Sequence, residues 1–63
     1  MLYEKIDTYL KENGIKRTYV AKKAGISNAT ITAIMQGKRK LLATEYADIC
    51  SALNVSLDKF NTD

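Results

Sequence analysis

Histidine, proline and tryptophan are absent from this sequence, and cysteine occurs once. Each gap removes a class of function. With no imidazole and a single thiol, zinc ligation has almost nothing to work with, and no nucleophile–base pair is in view. No enzyme activity, metal or other cofactor is therefore expected, nor a small-molecule ligand. The lone thiol, Cys50, cannot form an internal disulfide. It lies between Ile49 and Leu53 on an apolar stripe and reads as a small buried hydrophobe rather than a redox sensor. Four tyrosines and one phenylalanine are too scattered to stack single-stranded bases; they read as core and surface filler. No apolar run approaches the length of a membrane span, and Met1-Leu2-Tyr3-Glu4 does not resemble a signal peptide, so a soluble, intracellular chain with no membrane partner is expected.

Acids are missing from one long stretch. From Asn13 to Thr44 there are seven basic residues, Lys16, Arg17, Lys22, Lys23, Lys38, Arg39 and Lys40, and no carboxylate. Residues 1–12 carry a net charge of −1 and residues 45–63 a net −3, against +3 for the whole. All the excess positive charge sits in the middle of the chain, which is the footprint of a polyanion partner.

Sixty-three residues make one small domain. At this size a single core rarely supplies more than about 3–5 kcal/mol without staples, so helix packing must do most of the stabilising. With no proline, every helix boundary rests on caps and glycines. Leu2, Ile6, Tyr9, Leu10 and Asn13 follow a three-four rhythm, predicting a first helix over 2–13 that Asn13-Gly14 ends. Arg17 to Gly37 then reads as two short helices around a tight turn. Val20, Ala21 and Ala24 stripe the first of them, Ile31 and Ile34 the second. Between them Gly25 can adopt the positive φ that stops a helix, Ile26 turns inward, and Ser27 is a good N-cap. Asn28, Ala29, Thr32, Ala33 and Gln36 fall on the face opposite the isoleucines, uncharged and short enough for close approach to a polar surface. A basic loop, Gly37-Lys38-Arg39-Lys40, leads to a helix from about Ala43 to Leu53, with Tyr46, Ile49, Cys50 and Leu53 inward. Asn54 is a plausible left-handed stop. Ser56 would cap a last turn over 57–60, in which Phe60 closes the core.

Alanine at 21, glycine at 25 and isoleucine at 31 and 34 match the spacing of the DNA-binding helix-turn-helix. The string from Gly14 to Lys40, G-I-x-x-T-Y-V-A-x-x-A-G-I-S-x-x-T-I-x-x-I-x-x-G-K-R-K, resembles the phage repressor and Cro-type family, often called the Xre family. The likeness continues through A-D-I-C-S-A-L-N-V-S-L-D-K-F and so covers nearly the whole chain. It implies an all-α fold: a compact five-helix, lambda-repressor-like domain over residues 1–63, with the helix-turn-helix at about 17–37. It also assigns roles. Helix 28–36 would enter the major groove, with Asn28, Ala29, Thr32 and Ala33 reading bases. Lys16, Arg17, Ser27, Gln36, Lys38, Arg39 and Lys40 would hold phosphates. The partner would be double-stranded DNA with a two-fold operator, bound by a homodimer joined through the acidic C-terminal segment near Leu57 and Phe60. The setting would be cytoplasmic, at the nucleoid of a prokaryote, or phage-encoded or on a mobile element.

Several positions depart from the family pattern. Lys16 and Arg17 stand where threonine and glutamine often open the second helix, offering a phosphate more charge and less orientation. Leu10 and Met35 stand where many relatives hold a buried arginine–glutamate pair, and replacing such a pair by packed hydrophobes is often neutral or stabilising. Leu42 occupies the usual capping place of the fourth helix; either Thr44 caps a shorter helix or that end is weakly capped. Two function classes remain: a sequence-specific transcriptional regulator, a repressor foremost, and a protein-interaction module on the same fold, such as an antitoxin or a regulator partner.

Overall fold

A computed structural model of the chain describes residues 1–61. Four helices, α1 (Leu2–Glu12), α2 (Arg17–Ala24), α3 (Asn28–Met35) and α4 (Ala43–Leu53), make up the regular structure among them. Helix α2 is central, packing against both α3 and α4, while α1 lies on α3. Each helix sends its apolar stripe to one core. Ile6 and Leu10 come from α1, Val20 and Ala21 from α2, Ile31 and Met35 from α3, and Ile49 and Cys50 from α4, with Phe60 added from the C-terminal turn. Ile34 of α3 is fully buried as well. Burying side chains of this size contributes about 1.5–3 kcal/mol each before entropy is charged against it. Cys50 is a buried free thiol, in line with its place on the apolar stripe. No helix among the described residues is long and apolar enough to cross a membrane.

All four helices stop in the same way. The residue after the last turn takes a left-handed conformation: Gly14, Gly25, Gly37 and Asn54, with φ of 64°, 73°, 74° and 57°. Its amide donates to the carbonyl three residues back, and the next amide reaches the carbonyl five back, as in Gly25 N–H to Lys22 and Ile26 N–H to Ala21. This is the Schellman arrangement, which satisfies carbonyls the helix leaves without partners. In three cases the following residue is apolar: Ile15, Ile26 and Val55 all pack against the core. At the end of α3 it is Lys38, exposed to solvent. The chain is thus pulled inward after α1, α2 and α4, and released outward after α3.

Two helices end one residue earlier than their periodicity suggests, because Asn13 and Gln36 act as caps. The expected fifth helix is corrected to a hydrogen-bonded turn over residues 57–61. Its backbone bonds, Lys59 N–H to Ser56 and Asn61 N–H to Asp58, each span three residues. The carbonyl of Leu57, which an α-turn would offer to the Asn61 amide, accepts the Tyr46 hydroxyl instead. Ser56 does not cap this turn; its hydroxyl donates to Asp58 Oδ1. So short a segment cannot repay helix nucleation by itself, and tertiary contacts hold it: Phe60 is buried, meets the Tyr9 ring edge-on at 5.5 Å, and Lys59 Nζ lies 5.2 Å from the centre of the same ring.

Candidate nucleic-acid interface

Helix α3 is set by its cap. The Thr30 amide donates to Ser27 Oγ at 3.1 Å, and the Ser27 hydroxyl donates to Thr30 Oγ1 at 2.8 Å. The Ser27 side chain is therefore already engaged at the cap, while the remaining first-turn amides give this end a partial positive charge. From this start the 3.6-residue period divides α3 cleanly. Ile31, Ile34 and Met35 are buried. Asn28, Ala29 and Gln36 are exposed, and Thr32 and Ala33 half-buried, on the opposite side. The four expected base-reading residues and Gln36 thus share one uncharged, open face.

Basic groups precede α2 and follow α3 in the chain, in two different states. Lys16, before α2, and Lys38 and Lys40, after α3, are exposed and make no ion pair among the described residues. The two arginines are held. Arg17, at the first position of α2, donates from Nε and Nη2 to the two carboxylate oxygens of Asp7 in α1, both at 3.1 Å. Lys11 Nζ, one turn along α1, lies 3.2 Å from the same carboxylate. These partners hold the Asp7 carboxyl below its ordinary value, the Arg17 hydrogen bond being the largest cause. Arg39 donates from Nη1 to Glu45 Oε1 at 2.7 Å and to its neighbour's carbonyl, Lys40 O, at 3.2 Å. The same Glu45 oxygen accepts the Leu42 amide at 3.0 Å. The Arg39 hydrogen bond first, and that backbone amide second, lower the Glu45 carboxyl, and the pairing raises Arg39 further above its usual range.

Glu45 also settles how α4 begins. The helix starts at Ala43 with Leu42 as N-cap, without a side-chain cap. Leucine has no acceptor, so Glu45 supplies only the returning half of a capping box. Thr44 lies inside the helix. A third fixed point is Tyr3 of α1, whose hydroxyl lies 2.5 Å from where a Cβ on Gly37 would project. Glycine thus suits the end of α3 through its positive φ, and a side chain there would have to displace this ring.

Asp7, Glu45 and Tyr3 carry no role in the sequence reading. For Glu45 a local sign existed, a glutamate three residues after the expected boundary. For Asp7 and Tyr3 none did, since their partners are ten and thirty-four residues away. Among protein families, the helix-turn-helix model matches residues 6–60. No curated protein and no solved structure matches the chain.

Proposed function

The chain belongs to the helix-turn-helix family of Xre type, a family of DNA-binding regulatory domains, and on that premise we propose that it is a sequence-specific transcriptional repressor that inserts α3 into the major groove of duplex DNA. The observation that carries this reading is the open face of α3. A run of short, uncharged side chains, with lysines before α2 and after α3 that make no ion pair among the described residues, suits a helix that must lie against base edges between two phosphate backbones. Asn28 can offer its amide as donor and acceptor to an adenine, and the methyls of Ala29, Thr32 and Ala33 suit thymine. Lys16, Lys38 and Lys40 are the principal phosphate ligands, with Ser27 and Gln36 at the two ends of α3 and Arg17 and Arg39 as oriented donors beside them. One α3 reads only a few base pairs, so two copies are needed on a two-fold site. Leu57, 59 % exposed in the acid-rich C-terminal part, offers the contact between them.

The test is selection of bound sequences from a random duplex library. The expected outcome is a short, two-fold-related consensus with contacted positions spaced as half-sites. Recovery of no consensus, with affinity at the level of random DNA, would overturn the reading.

A further inference from the structure

Resting on that reading, we propose that Asp7 and Glu45, two acids from outside the basic stretch, are positioning residues that set the selectivity of DNA binding by holding its two arginines. The pairing is directional in both places. Asp7 takes the Nε and Nη2 edge of Arg17, leaving Nη1 without a partner among the described residues. No side-chain nitrogen or oxygen buried among the described residues lacks a partner, so Nη1 of this half-buried arginine is open to solvent. Glu45 and the Lys40 carbonyl share Nη1 of Arg39, leaving Nε and Nη2. Each guanidinium thus keeps donors in a fixed direction while its charge is compensated.

The consequence follows from what non-specific affinity is made of. A mobile arginine can follow the nearest phosphate on any duplex and releases a counterion wherever it does so. A clamped, compensated arginine attracts random DNA weakly and donates only when the backbone is in register, which happens when α3 is seated on its preferred bases. The two clamps sit on either side of α3 in the chain, Arg17 at the start of α2 and Arg39 in the loop after α3. They therefore penalise misplacement through the segments that precede and follow the helix-turn-helix. Asp7 is also fixed by Lys11 and Glu45 by the Leu42 amide, so neither carboxylate is free to swing away with its arginine.

The experiment compares Asp7→Asn and Glu45→Gln with wild type on a selected duplex and a random duplex over a range of salt concentrations. Glutamine at 45 can still accept the Leu42 amide, so this variant keeps the start of α4. Glu12→Gln, an exposed acid of α1, is the control for loss of one negative charge at large. Each of the first two variants should bind random DNA more tightly, with a log–log salt slope steeper by about one per bound subunit. The preference for the selected duplex should drop several-fold, and the control should move far less. Unchanged slopes on random DNA in both variants, or an equal change in the control, would overturn the proposal while leaving the DNA reading intact. Absence of any duplex preference in wild type would instead overturn the DNA reading, and the proposal with it.

Discussion

Asp7 joins two elements of the fold through a single side chain. Its carboxylate ties α1 to the start of α2 through Arg17, and its ordinary pKa of 3.8 is lowered by that pairing. A carboxyl lowered on folding contributes stability above its unfolded value and loses it as pH falls through the folded one. Asp7→Asn should therefore melt below wild type at neutral pH. The gap should start to close as pH falls toward the ordinary value of 3.8 and be lost as pH falls through the lowered folded value, once the acid is protonated in both states. Melting curves over that range check it, and a gap independent of pH would mean that the pair contributes through shape alone. Asn28 belongs to the same scale, on the face proposed for recognition. Exposed at the first position of α3, it has no core role, so Asn28→Ala should cost about 1–3 kcal/mol on the preferred duplex and much less on random DNA. Titration of both duplexes at one salt concentration decides; equal losses would make Asn28 a backbone contact. The exposure of Asn28, Ala29 and Gln36 was legible beforehand because a helical period fixes which positions oppose Ile31 and Ile34. The grip on Arg17 was not, because it joins two elements whose relative placement no local pattern encodes.

Helix ends were legible wherever a residue type forces the backbone. Gly25, Asn54 and the Ser27 cap all act as their chemistry dictates, since few alternatives can take a left-handed φ or cap a first turn. The last turn over 57–60 was legible as a turn, but the fifth helix implied by the family resemblance does not form there, where the Leu57 carbonyl accepts the Tyr46 hydroxyl from eleven residues away. The start of α4 is only half capped: Leu42 is an exposed N-cap with no acceptor. Leu42→Ser would complete the capping box with Glu45 and should stabilise the domain by about 1 kcal/mol, or about 4–8 °C in melting temperature at this size. No gain would mean that Glu45 already meets the need of that end. Core positions at this scale make an opposite prediction. Leu10 of α1 and Met35 of α3 lie in one buried cluster, where α1 packs on α3. Met35→Glu would leave an unpaired charge there and should cost about 3 kcal/mol or more. Denaturant unfolding measures it, and an unchanged midpoint would show that the site opens to water.

At the scale of the whole molecule, the charge partition is a sum over sequence and needed no structure: seven bases and no acid between Asn13 and Thr44. Which of those charges stay available is a property of the fold, because Asp7 and Glu45 reach in from the flanking segments to occupy both arginines. Lys22 and Lys23 are exposed on α2, and Lys16, Lys38 and Lys40, before α2 and after α3, are exposed with no ion pair among the described residues. This sets a number for assembly on DNA. If three lysines per subunit each neutralise one phosphate, a bound dimer should lose affinity with a log–log salt slope near −5. One copy alone would give a slope near −3, and a dimer whose arginines also released counterions in full would approach −9. Footprinting supplies the independent measure of stoichiometry, with two protected half-sites expected about 10–10.5 base pairs apart, centre to centre. A slope near −5 with two half-sites fits a dimer held by its lysines. A single short, asymmetric footprint would remove the dimer, whatever the slope. Two half-sites with a slope near −9 would keep the dimer but show that Asp7 and Glu45 surrender their arginines to DNA.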